Sequence, residues 1–238
     1  DIRPDNIVHL AAKVGGVKGN TDFVNDFFNE NIQMNTNVLE SSHEHGIPKV
    51  ISFLSTCVYP NEVTYPLTEE QIHNGPPHKS NFGYAYAKRM ADIHSRTMRQ
   101  QYGHDYICAI PNNLYGPNDN FDLENGHVIP AIIRKIYEAK NKGPVPIFWG
   151  SGSPLREFTY SDDKEISIKE VVYLICDVMD YNGEIIWDTS KPEGQFRKPS
   201  SNKKFLQLYP DFDYTSLRHG LEKTCDWFVT YYPNIRGF

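Results

Sequence analysis

Three apolar segments of strand length recur along the first half of the chain, with helix-length connections between them. They read NIVHLAA from Asn6, KVISFLST from Lys49 and DYICAIP from Asp105. Each is apolar almost throughout, a pattern that implies a parallel sheet covered by helices on both faces. Between the first two, Val24, Phe27, Phe28, Ile32, Val38 and Leu39 fall at roughly helical spacing, and Gly46 is placed to end that helix. A loop rich in Pro, Asn and His then precedes a second helix over 84–102, closed by Gly103. Ligands of such sheets bind at the carboxyl ends of the strands. HLAA, LSTC and PNNLYG all fall there.

The second half has shorter elements. A helix is expected over 128–142 with Pro130 in its first turn. VPIFWG, REFTY and EIIWDT read as strands. A helix over 167–180 starts with a capping box, Ser167 and Glu170, and an amphipathic helix over 217–232 closes the chain. The fold class expected is α/β: a Rossmann-type doubly wound parallel sheet in residues 1–125, with a smaller C-terminal α/β domain in 126–238. The chain opens at DIRPDNIVHLAA without a methionine, so a front portion is expected to be missing.

Composition narrows the function. A net charge of -6 argues against nucleic acid as the main ligand. Cys57, Cys108, Cys176 and Cys225 lie far apart with no CxxC, and read as reduced thiols of a cytoplasmic protein. No apolar run reaches membrane-spanning length. His43-Glu44-His45 looks metal-like, but neighbouring positions on a helix project differently, and no metal is expected. The loop with His73 and His78 reads as a lid or substrate-side loop.

The chemistry centres on YAYAK. Tyr84 and Lys88 are four residues apart, so on a helix they share a face. An ammonium beside a phenol favours its ionisation and makes it a proton donor near neutral pH. Spacing alone is weak: 15 tyrosines and 15 lysines in 238 residues give about one such pair by chance, and Tyr160–Lys164 is a second. Ser55, at the end of its strand, adds a hydroxyl able to hydrogen-bond a substrate carbonyl. Read alone, Cys57 is a small buried apolar residue, His127 a helix-start histidine, Trp149 a core side chain and Arg156 a solvated charge.

With Ser55, Tyr84 and Lys88 in place, the chain resembles the extended short-chain dehydrogenase/reductase family. HLAAKVGG, LSTCVYP, HNGPPHKSNFGYAYAKRM, NLYGPNDNF, GHVIPAIIRK, FWGSGSPLREF and KPEGQFRK, in that order, resemble its GDP-L-fucose synthase branch. The resemblance implies an NADPH-dependent enzyme that epimerises GDP-4-keto-6-deoxy-D-mannose at carbons 3 and 5 and reduces it at carbon 4. It implies reduction by Ser55, Tyr84 and Lys88, with Cys57 and His127 as the acid–base pair of epimerisation, since both exchange protons near neutral pH. It places Phe53, Leu54, Ser55, Thr56, Lys88, Pro111, Asn112, Asn113, Leu114 and His127 around NADP(H), making 1–125 the NADP-binding domain. Lys135, Trp149, Arg156 and Glu193 would contact the sugar nucleotide in a substrate domain. A cytoplasmic homodimer through the two long helices is implied as well.

Two departures and two absences stand against the family pattern. Asn112 replaces the usual Thr, and Glu193 the usual Asp. No GxxGxxG loop follows a first strand; Gly15-Gly16 looks like a substrate-side turn instead. Relatives carry an insertion near Asp163 and Lys164, so an omitted segment is expected there, which would make Tyr160–Lys164 an artefact of joining. Two alternatives stay open: another sugar-nucleotide epimerase or dehydratase of the family, or a catalytically silent nucleotide-binding chain. Against a dehydratase, the turn Ser55-Thr56-Cys57-Val58 has no carboxylate.

Overall fold

A computed structural model describes residues 4–15, 17–124, 126–159, 165–191 and 196–238. Glu193, the Tyr160–Lys164 pair and the suspected junction at 163/164 lie outside these residues. The chain divides into two compact units, Asp1–Pro111 and Asn112–Phe238, so the division falls before the boundary expected after residue 125.

In the first unit, β1 (Asn6–His9), α1 (Val17–Asp22), α2 (Val24–Glu44), β2 (Lys49–Phe53), α3 (Phe82–Tyr102) and β3 (Asp105–Ala109) follow one another. The strands form a parallel sheet in the order β1-β2-β3, with Ile7 opposite Val50 and Val50 opposite Tyr106. Both crossovers step the same way, and the right-handed rule then puts α2 and α3 on one face, where they pack on each other. On that face Val50 and Tyr106 are fully buried against Leu39 and Met98. Burial along β2 alternates, and Val8, which points the other way, is 57% exposed. Cover on both faces is therefore met on one face among the described residues. Gly46, at φ 66°, follows the end of α2 as expected, because a residue with a Cβ is strained there.

The second unit runs β4 (Asn113–Leu114), α4 (Val128–Lys140), β5 (Ile147–Trp149), β6 (Leu155–Thr159), β7 (Glu165–Ser167), α5 (Ile168–Val178), β8 (Ile186–Asp188), α6 (Lys203–Leu208) and α7 (Leu217–Tyr231). β4 and β7 flank β6, and β5 pairs in parallel with β8. The core forms where amphipathic spacing says it should: Ile129, Ile132, Ile133 and Ile136 put one face of α4 against Val171, Val172 and Ile175 of α5 and Leu221 and Phe228 of α7. The capping box is present, with Ser167 Oγ accepting from the Glu170 N–H at 3.1 Å and the Glu170 carboxylate accepting from the Ser167 N–H at 2.9 Å. The strands at 113–114 and 165–167 and the helices at 17–22 and 203–208 are additions to the expected elements.

Candidate active site

β2 ends at Phe53, and the chain turns at once into a short 3-10 turn over Thr56–Val58, with Ser55 as its N-cap. The Cys57 N–H donates to Ser55 Oγ at 3.3 Å, which fixes serine and cysteine in one turn. α3 brings up the rest. Tyr84, Ala87, Lys88 and Ala91 lie on its buried face, so the four-residue spacing does put Tyr84 and Lys88 on one side. Gly83 lets the first turn of α2 pass alongside, since a Cβ there would meet the Val24 carbonyl oxygen at 2.4 Å. The edge of the Phe27 ring then packs on Tyr84.

The Ser55 hydroxyl and the Cys57 thiol both lie near enough to the Tyr84 phenol to act on its proton affinity. Burial holds the phenol's pKa above its usual value; a negative Cys57 would add to that, and the nearby Ser55 hydroxyl opposes it. Lys88 is 2% exposed, and its ammonium donates to the Phe53 carbonyl at 2.9 Å. Burial lowers its pKa to about 8. Burial thus works against the charged forms of both groups, opposite in sign to the pull of an ammonium on a phenol. The Lys88 Nζ lies 6.0 Å from the Tyr84 ring centre. Ser55, Cys57, Tyr84 and Lys88 are nonetheless brought together, as expected.

A polar frame holds this cluster that sequence reading missed. Asn31 caps the chain after β1, accepting from the Lys13 N–H at 3.1 Å and donating to the Lys13 and Phe27 carbonyls. His9 Nε2 shares a hydrogen bond with Asn35 Oδ1 at 2.9 Å, and the Asn35 amide donates to the Ala87 carbonyl at 3.3 Å, one residue from Lys88. The signal was present: Phe27, Asn31, Asn35 and Leu39 form one row four residues apart, so both asparagines had to face inward. Arg89, also buried, donates to the carbonyls of Val58 and Gly75, both at 2.7 Å. It ties the cysteine turn and the Pro-rich loop to α3.

In the second unit, His127 is the N-cap residue of α4, but its ring makes no capping bond. Its side chain is 68% exposed, with Nδ1 4.0 Å from Asp119 Oδ1. Lys135 donates to the Ile147 carbonyl at 2.8 Å beside the Phe148 ring, and burial lowers its pKa. Trp149 is 64% exposed with Lys191 over its ring, so it is not a core side chain. Arg156 Nη1 donates to its neighbour's carbonyl on Leu155. Asn112 and Asn113 are tied to their own unit. The Asn112 amide donates to Glu157 Oε2 at 2.5 Å and accepts from Ser200 Oγ at 3.1 Å, while Asn113 donates to the Glu157 carbonyl at 2.9 Å. Glu157, 4% exposed, also takes the N–H and hydroxyl of Ser200, and burial raises its pKa against those bonds.

The family described as NAD dependent epimerase/dehydratase matches residues 1–164. The chain belongs to this family. Among family relatives, GDP-L-fucose synthase of Dictyostelium discoideum is 41% identical, over 99% of this chain and 81% of that protein. That alignment spans 260 positions, more than the 238 residues here, so the relative holds residues without a counterpart in this chain. The Escherichia coli GDP-L-fucose synthase is 32% identical over 99% of this chain and 83% of its own length. Among solved structures, a GDP-L-fucose synthetase from Naegleria fowleri bound to NADP superposes with a TM-score of 0.90 at 40% identity, covering 98% of this chain and 79% of that one. Epimerase/dehydratase membership accounts for the parallel sheet.

Proposed function

We propose that this chain converts GDP-4-keto-6-deoxy-D-mannose to GDP-L-fucose, by epimerisation at carbons 3 and 5 and reduction at carbon 4 with NADPH. The observation that carries the reading is a thiol, Cys57, in one turn with Ser55 and next to Tyr84. A plain carbonyl reductase needs the serine, tyrosine and lysine, whereas the thiol adds a group able to take a proton from carbon beside a ketone. The naming of relatives at 41% and 32% identity supports the same substrate.

The donor set fits the cofactor. Lys88 has three N–H groups and Phe53 O as its acceptor among the described residues, so a ribose hydroxyl pair suits the remainder. NADPH, when bound, supplies hydride to carbon 4. Ser55 hydrogen-bonds the ketone oxygen while Tyr84 donates a proton to it. Because burial keeps the phenol protonated, the hydroxyl is held as an acid until the oxygen gains charge. In epimerisation, the Cys57 thiolate removes the proton beside the ketone, and His127, in the second unit, is assigned its return on the other face. Lys135, Trp149, Arg156 and Glu193 are assigned to the sugar nucleotide, with Trp149 offering an exposed ring face and Arg156 a guanidinium suited to pyrophosphate.

The proposal includes a cytoplasmic homodimer through α2 and α3. Val24, Phe28, Met90 and Ile93, all on these helices, are 38–46% exposed. No described helix is long and apolar enough to cross a membrane. Light scattering at micromolar concentration checks the dimer, and a monomer in wild type with an unchanged mass for Ile93→Asp sinks it. The activity is tested in heavy water without NADPH. Wild type is expected to place deuterium at carbons 3 and 5 of the ketosugar, and Cys57→Ser is not. With NADPH, Cys57→Ser is expected to reduce the unepimerised sugar slowly. Undiminished deuterium uptake by Cys57→Ser removes the thiol from the mechanism and reopens the alternative readings.

A further inference from the structure

Between the end of β4 and the start of α4, the chain makes a turn in which a half-buried carboxylate, Asp119, faces His127. Asn118 takes up φ 66°, a left-handed conformation uncommon outside glycine, and the next residue is Asp119. The Asp119 N–H donates to the Gly116 carbonyl at 3.3 Å, and its Oδ1 accepts from the Asn120 N–H at 2.7 Å. The C-terminal segment locks the turn from outside. The Phe121 N–H donates to the Arg236 carbonyl at 3.0 Å, and Arg134 donates to the carbonyls of Phe121 and Gly237. A Cβ on Gly237 would meet Asn120 Oδ1 at 2.3 Å, so the two segments are in close contact. The Asp119 side chain is 18% exposed, and the His127 side chain that faces it is 68% exposed.

We infer that Asp119 is the positioning carboxylate of His127, holding its Nδ1 so that Nε2 is the atom that exchanges protons with substrate. The carboxylate is fixed by its own turn, and the imidazole is solvent-facing on its other side. At 4.0 Å the pair is outside hydrogen-bond length, an open distance of the kind that tightens in catalytic groups when substrate binds. A fixed negative charge beside Nδ1 does two things: it selects the Nδ1–H tautomer, and it stabilises the imidazolium that forms whenever the ring holds a second proton. The charged groups that act on Asp119 are His127 and Arg236. Of the three cations on α4, Arg134 is engaged by Glu138 and by the two carbonyls, Lys135 by the Ile147 carbonyl and Lys140 by the Met179 carbonyl. Burial raises the Asp119 pKa, while the Asn120 N–H, His127 and Arg236 oppose that shift.

The inference rests on His127 being the second acid–base group of epimerisation, and the test separates the two. Deuterium exchange into the ketosugar is followed without NADPH for wild type, His127→Gln, Asp119→Asn and Asp119→Glu. His127→Gln is expected to abolish exchange at one carbon at least. Asp119→Asn is expected to lower the exchange kcat roughly 10- to 100-fold with KM within about twofold. It is also expected to move the histidine-dependent limb of the pH profile to lower pH, because a negative charge beside the ring is gone. Asp119→Glu is expected to restore most of the rate. Nitrogen-15 NMR of the wild type, which needs no variant, is expected to show neutral His127 protonated on Nδ1. Wild-type exchange in His127→Gln overturns both readings. An Nε2–H tautomer overturns the Asp119 inference alone, as does a wild-type rate and pH profile in Asp119→Asn. So does a rate loss with an unmoved profile, which marks a merely structural residue.

Discussion

In the first unit Lys88 is 2% exposed and Tyr84 9%, and the helix that carries them is tied through Asn35 and Arg89 to its surroundings. In the second, Trp149 is 64% exposed and the His127 side chain 68%, and neither side chain makes a described hydrogen bond. Proton donation to a ketone rewards desolvation and fixed geometry, because both sharpen electrostatic interactions at the reacting atoms. Grasping a large, charged nucleotide rewards side chains that reach solvent. The most buried and the most exposed of the candidate groups thus fall in separate units.

The comparison breaks first at Tyr84. Tyr84→Phe removes one buried hydroxyl and leaves the ring packed on Phe27, so binding of GDP-sugar is expected to persist while NADPH oxidation falls roughly 10²- to 10⁴-fold. Normal turnover in Tyr84→Phe, with loss of activity in Tyr86→Phe, would show that the wrong tyrosine has been assigned.

Lys88 tests whether the first unit really buries charge. Its pKa falls from 10.5 to about 8 in the fold. Below about 8 both folded and unfolded chains carry the proton, and the cost of burying it is fully present. From about 8 to 10.5 the unfolded chain binds more protons, so stability rises with pH, by at most about 1.4 kcal/mol per unit from this one group. Urea midpoints for wild type and Lys88→Met across that range check it. The variant is expected to lose the upward slope, and parallel curves would mean that the ammonium is solvated.

Trp149 tests the open half. Trp149→Ala is expected to raise KM about 2- to 10-fold, the worth of one stacking contact, with kcat nearly unchanged. Its melting temperature should stay put, since the ring is mostly solvent-exposed; a large drop would make Trp149 a packing residue. The smallest effect belongs to Ser167→Ala, which removes the cap of α5 far along the chain from any assigned catalytic group. A loss of about 1 kcal/mol in unfolding free energy with full activity is expected, and lost activity at unchanged stability would contradict it.

Local features were legible in the sequence. The row of isoleucines on α4, the capping box and the glycines ending α2 and α3 act over a few residues, so spacing alone reveals them. Ser55, Tyr84 and Lys88 were legible too, since a strand end and a helix face place them. Glu157 was not, because it sits between Arg156 and Phe158 in a strand that reads as ordinary. Its partners Asn112 and Ser200 lie 45 and 43 residues away. Nor was the effect of burial on the lysine–tyrosine pair. Spacing reveals proximity, whereas the shift in proton affinity depends on how much water the surrounding fold removes.

Gly83 has a consequence that outlasts any list of catalytic groups. The missing methyl at this position is the clearance between two helices, and the next residue is Tyr84. The Tyr84 hydroxyl is thus mounted on a bearing whose tolerance is one carbon atom wide. A side chain there must lift the head of α3 off Val24, and a displacement of about 1 Å at the reacting atoms is enough to cost on the order of 10² in rate. Where the Tyr84 hydroxyl stands is set by a gap in the packing as much as by the residue that carries it.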